Sequence, residues 1–157
     1  MKIITSNCNM AFLKKAEFVL AAKPDILIVP ECEHPDRLLF AINIPQPTDM
    51  LWFGDNNNKG LGIFSYSHCN FRLLRNCNPA FKMIIPNAVT GSNFTFTPYA
   101  VWANNPGDSE GQYAEQTWKA IYHYDKKLKK GSTSPPAILT AIPSGIKNTG
   151  RIIIPMW

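Results

Sequence analysis

The sequence predicts an α/β (α+β) protein, a mixed sheet with helices on one face, and three observations predict it. The run "ILIV" at 26–29 is apolar without alternation, the mark of a strand covered on both sides. A short strand and an amphipathic helix come just before it, which makes a βαβ unit with two parallel strands. Several more strand-like segments then precede a second, longer amphipathic helix.

In order along the chain, "KIITS" at 2–6 reads as the first strand and opens into the polar "NCN". The helix follows in "MAFLKKAEFVLAAK", where Phe12, Ala16, Val19 and Leu20 share one face and Lys14, Lys15 and Glu17 fall between them. Lys23-Pro24 ends it, because proline restricts the residue before it. "DILIV" is the second strand, central and parallel to the first. The stretch 34–60 reads as loop-rich, with a strong turn signal at 55–60. "GLGIFSYS" and "FRLLRN" look like two antiparallel strands, and "FKMIIPNAV" and "FTFTPYAVWANN" add at least two more. In 108–130, Ser109 and Gln112 have capping-box spacing, and Tyr113, Thr117, Ile121, Tyr124 and Leu128 form one stripe, with His123 off it and at the surface. After the turn-like "GSTSPP", "AILT" starts one more buried strand.

The chain has 157 residues, 45% of them hydrophobic, which suits one domain with a packed core. The net charge of +5 biases it mildly toward anions, but Lys126, Lys127, Lys129 and Lys130 supply much of that from one helix end. A basic nucleic-acid-binding domain would spread its cations over a face with exposed aromatics, so that class ranks low. Four cysteines without CxxC pairing point to reduced thiols and a cytoplasmic chain rather than a disulfide scaffold. Three histidines without ligand spacing argue against zinc. No apolar run approaches the ~18 residues of a spanning helix, so no membrane partner is expected.

The stretch "DILIVPECE" at 25–33 poses the chemical question. A carboxylate at the end of a covered strand loses hydration and needs a cation, a hydrogen-bond donor or a proton. Glu31 stands there, and Asn7 stands at the end of the neighbouring parallel strand. The carboxyl ends of parallel strands are where open α/β sheets bind ligands. Taken singly, Asn7 reads equally well as a turn or cap residue, and Glu31 as a solvated loop acid.

In their order and spacing, "ITSNCN", "LIVPECE", "GLGIFSYS", "TPYAVWANN" and "QTWKAIYHYDKKL" resemble the N-terminal portion of the endonuclease/exonuclease/phosphatase family, the DNase-I-like magnesium-dependent phosphohydrolases, over residues 2–140. The resemblance implies a fragment, roughly half, of a four-layered α/β sandwich. It implies a phosphate-ester substrate, nucleic acid among the candidates, and a Mg²⁺ (or Mn²⁺) ion held by Glu31, with Asn7 orienting that acid or touching phosphate. It places Trp102 and Asn105, with Asn104 beside it, near the reacting phosphate, although an indole offers one N–H in place of a hydroxyl or imidazole. Glu33 and His34 are left as loop residues.

The pattern breaks after "AILT". Family members continue there into Gly-Asp-Phe-Asn and later supply an Asp-His pair; this chain continues "AIPSGIKNTGRIIIPMW". Positioning and electrostatics carry phosphoryl transfer, so a chain without those groups is expected to be catalytically incomplete. The alternative is a non-enzymatic remnant or self-associating interaction module. Residues 141–157 form an atypical tail. From Ala141 onward the codons also permit Asn, Ser, Lys, Trp, Asp, Lys, Glu, His in a shifted frame, and the expectation is that a small deletion put the tail out of frame. If each half of the sandwich supplies one sheet, this chain bares that sheet's inner face, and a homodimer is expected to cover it.

Overall fold

The computed structural model describes residues 1–75, 77–81, 84–102, 113–128, 137–141 and 151–153. Strand β1 (Lys2–Thr5), helix α1 (Phe12–Leu20) and strand β2 (Ile26–Cys32) form the βαβ unit, and β1 and β2 pair in parallel with Ile4 opposite Leu27. A one-turn helix α2 (Pro35–Leu38) leads to the hairpin of β3 (Asp49–Asn56) and β4 (Lys59–Ser65). Strand β4 pairs antiparallel with both β2 and β3. With β10 (Arg151–Ile153) antiparallel on β1, the first sheet runs β10-β1-β2-β4-β3.

The second sheet holds β5 (Asn70–Leu73), β6 (Ile84–Thr90), β8 (Pro98–Trp102) and β9 (Ala137–Ala141), with the short β7 (Thr95–Phe96) on β6. Strands β8 and β9 are parallel, joined through helix α3 (Tyr113–Leu128).

Alternating side chains give the layers. Ile3, Ile26, Ile28, Leu61 and Ile63 of the first sheet pack with Ile85, Val89, Ala100 and Trp102 of the second, so the sheets lie face to face. On the far side of the first sheet, Ile4, Leu27, Val29 and Phe64 meet Phe12, Ala16 and Val19 of α1. On the far side of the second, Ile84, Tyr99 and Val101 meet Ala120 and Tyr124 of α3. The order is helix, sheet, sheet, helix, and each sheet is mixed with a helix on one face. Among the described residues no helix is long and apolar enough to cross a membrane.

The fold class is the one the sequence predicted, and several particulars differ. The 157 residues contribute strands to two sheets, so the inner face of each is covered by the other. This removes the bare face from which a homodimer was expected. "GLGIFSYS" and "FRLLRN" are not partners: β4 joins the first sheet and β5 the second, because the chain crosses between layers at 66–69. The loop-rich stretch contains α2 and β3; β3 is an edge strand whose apolar run 50–53 does not alternate and whose far end, 54–56, is exposed, so it shows no strand period. On α3 the best buried residues are Ala120 and Tyr124, and His123 packs against the Phe81 ring at 5.0 Å rather than facing solvent freely. Ser109 and Gln112 lie outside the described residues, as do Asn104 and Asn105.

Phe64 is fully buried and stacks on Phe12 at 5.5 Å, which joins α1 to the first sheet. Phe64→Ala is expected to destabilise the chain by about 3–5 kcal/mol in urea unfolding, the cost of a large core cavity.

Candidate functional site

Strand β2 is buried along its whole length, Glu31 included. Its pairing with β4 slips near its end: Pro30 faces Leu61 and Cys32 faces Gly60, which leaves Glu31 as the extra residue of a bulge. Glu31 accordingly takes a left-handed backbone, φ 55°. A non-glycine residue pays strain there, and such strain gathers where a side chain must be aimed. The loop after β1 pins this conformation, since Met10 N–H donates to the Glu31 carbonyl at 2.7 Å.

The Glu31 side chain is only 11% exposed, and its Oε1 lies 3.2 Å from Lys59 Nζ. Lys59 opens β4 directly after the hairpin turn, and its ammonium also stands 5.5 Å from the centre of the Trp102 ring. Trp102 ends β8 in the opposite sheet, so the ends of β2, β4 and β8 meet at one rim of the sandwich. The indole Nε1–H of Trp102 is buried and has no acceptor among the described residues. An acid, a cation and an unanswered donor are thus gathered where two sheets meet.

Gly60 sets the position of Lys59. A Cβ there would lie 2.6 Å from the Phe53 carbonyl oxygen and inside the Trp52 ring, so only glycine lets the indole lie across the strand. Trp52 is held in turn by a hydrogen bond from its Nε1 to the Cys32 carbonyl (3.3 Å) and by the edge-on His34 ring at 4.7 Å.

The other sequence candidates have specific places. Asn7 follows β1 on the same rim, next in line to Ser6, whose N–H donates to the Ile28 carbonyl at 3.0 Å. Its side-chain carbonyl accepts from Asn9 N–H at 2.9 Å, the local turn role. Glu33 is more than a loop residue: its Oε2 accepts from Phe12 N–H at 3.0 Å and caps α1, whose own N-cap residue, Ala11, has no side chain to do so. His34 caps α2 through Nδ1 to Asp36 N–H at 3.3 Å. Sequence reasoning missed Lys59. Its signal was a lone cation directly after the "DNNN" turn, at the start of a strand otherwise wholly apolar or small.

Cys8 and Cys32 lie fully buried behind the rim. Burial pushes the Cys8 thiol up to about 11, more than the Ser6 hydrogen bond and Lys15 lower it. Burial raises Cys32 further, with the Glu33 carboxylate and the nearby Cys8 thiol adding to it. Both are neutral packing groups at physiological pH.

A divalent ion is what the resemblance implies at Glu31, and magnesium accepts one or two carboxylates with water and substrate oxygens completing its shell. Glu31 offers one such carboxylate at the rim. Among the described residues no group of three His, Cys, Asp or Glu side chains could hold a metal. The residues fit a one-carboxylate, water-rich site and no closed cage.

No family profile and no curated protein matches the chain. Solved structures do. The endonuclease domain of TRAS1, a telomere-specific non-LTR retrotransposon, superposes with a TM-score of 0.55 at 11% identity over 81% of this chain and 54% of its own. Truncated TDP2 of Caenorhabditis elegans gives 0.54 at 11% over 92% and 66%, and an AP endonuclease from Archaeoglobus fulgidus 0.50 at 18% over 81% and 51%. The fold is DNase-I-like, and the chain spans between about half and two thirds of the length of these structures.

Two outcomes are expected. A double-mutant cycle on Glu31→Gln and Lys59→Met, read by urea unfolding, should give a coupling of about 1–2 kcal/mol for a pair mostly withdrawn from water. Stability should also fall with alkali. The unfolded Cys8 thiol ionises near 9 and the folded one near 11, so the folded state holds its proton longer and stability drops as pH rises from 9 to 11. Cys8→Ala should make that part of the urea-midpoint profile shallower, with the raised Cys32 thiol leaving a remainder.

Proposed function

We propose that the rim of Glu31, Lys59 and Trp102 binds phosphate esters, nucleic acid among them, and belongs to a metal-assisted phosphohydrolase centre of which these 157 residues carry the binding part without turnover. The observation that carries this reading is the buried Trp102 Nε1–H, which has no acceptor among the described residues, on a ring that also receives the Lys59 ammonium at 5.5 Å. A phosphate oxygen answers both a neutral N–H donor and a cation. The similar structures support the choice of ester, since their names include an endonuclease domain and an AP endonuclease.

Each side chain then has a task. Trp102 Nε1 donates to a phosphoryl oxygen, and Lys59 neutralises the phosphate charge. Asn7, on the same rim, turns its amide toward the ester while its carbonyl keeps the turn. Asn105, beyond β8, is a second amide for the same purpose. Glu31 is the acid that would hold Mg²⁺ or Mn²⁺, which when bound supplies Lewis-acid polarisation of a phosphoryl oxygen. Hydrolysis further requires a group that orients water. The stretch 141–157 contains no Asp, Glu or His, and Ile142 and Ser144 stand where the resemblance places the Asp and Asn that follow "AILT".

Anisotropy of a fluorescein-labelled single-stranded oligonucleotide tests the binding. Trp102→Phe, which removes the N–H and shrinks the ring, should weaken it at least about fivefold, since the lost hydrogen bond alone is worth about 1 kcal/mol. Nitrophenol release from bis(p-nitrophenyl) phosphate with Mg²⁺ or Mn²⁺ should stay at the buffer rate. An oligonucleotide affinity indifferent to Trp102→Phe would refute the assignment of the site, and metal-dependent turnover lost in Glu31→Ala would refute the absence of catalysis.

A further inference from the structure

We infer that Lys59 is an internal cation that Glu31 keeps in the absence of metal, so that divalent binding at this rim requires Lys59 Nζ to leave Glu31 Oε1. The inference rests on Glu31 as the metal-ligating acid and adds how that site is regulated. Glu31 is held on a strained bulge with an 11% exposed side chain, and the group answering it is an ammonium at 3.2 Å from the start of the neighbouring strand β4. The ammonium occupies Oε1, and a divalent ion on the other oxygen of the same carboxylate would stand close to that ammonium, where two cations withdrawn from water repel strongly.

The exchange has a built-in direction. The Lys59 stem is unbranched and its side chain is 29% exposed, so the head can swing away while its strand stays paired. Glu31 is fixed by its backbone, with the Met10 N–H on its carbonyl and Cys32 paired to Gly60 beyond the bulge. Lysine is therefore the moving partner and glutamate the stationary one. Among the described residues the Trp102 ring beside the ammonium can receive the displaced charge, and so can a phosphate brought by the ester. Metal and phosphate ester thus bind with mutual assistance: the ester draws Lys59 off the acid, and the vacated acid takes the metal.

Calorimetric titration of the full chain with Mn²⁺ alone, without any ester, tests this independently of phosphate binding. Wild type should bind weakly, Lys59→Met at least tenfold more tightly, and the double variant Lys59→Met/Glu31→Gln should lose that gain. Equal or weaker Mn²⁺ affinity in Lys59→Met would overturn the inference. Should that variant fail to fold, the unaltered protein answers through its lysine chemistry. Acylation of Lys59, followed by mass spectrometry, should speed up severalfold with saturating Mn²⁺ over a NaCl control of equal ionic strength. An unchanged rate would overturn the inference in the same way.

Discussion

Strand β2 is buried on both faces, and the sandwich is organised around that fact. Its even and odd residues feed two different cores: Ile26 and Ile28 pack between the sheets, Leu27 and Val29 against α1. A strand so enclosed cannot end in a carboxylate without a cation or a donor set, because charge withdrawn from water is costly until it is paired. The pair of Glu31 with Lys59 meets that requirement, and in doing so brings β2, β4 and, through Trp102, β8 to a common rim.

Local devices keep the rim in place. The bulge between Pro30 and Cys32 turns Glu31 out of the alternating pattern of its strand, and Gly60 opposite it leaves room for Trp52 to lie flat. Glu33, two residues on, ties the same segment to the start of α1. Successive acids in one short stretch thus have different tasks, one aimed into the rim and one spent on a helix terminus. Buried neutral thiols at Cys8 and Cys32 fill the space behind them without adding charge.

On the function proposed above, the rim is an electrostatic site for an anion. It offers a cation, a buried donor and one acid on rigid strand ends, the arrangement in which hydrogen bonds to charge are strongest.

By itself the sequence determined the βαβ unit, the buried face of α1, the existence of the strand at "AILT" and the exceptional standing of Glu31. These follow from local periodicity and from the energetics of a single acid beside an apolar run, both of which are written in neighbouring residues. Tertiary structure alone decided that the strands divide between two sheets, that β4 and β5 part company, and that Lys59 is the group facing Glu31. Periodicity says which side of a strand is apolar and nothing about which strand lies beside it. Partner choice is settled by packing between segments far apart in the chain, and the cation that meets Glu31 arrives through a hairpin whose edge strand carries too weak a pattern to be read in advance.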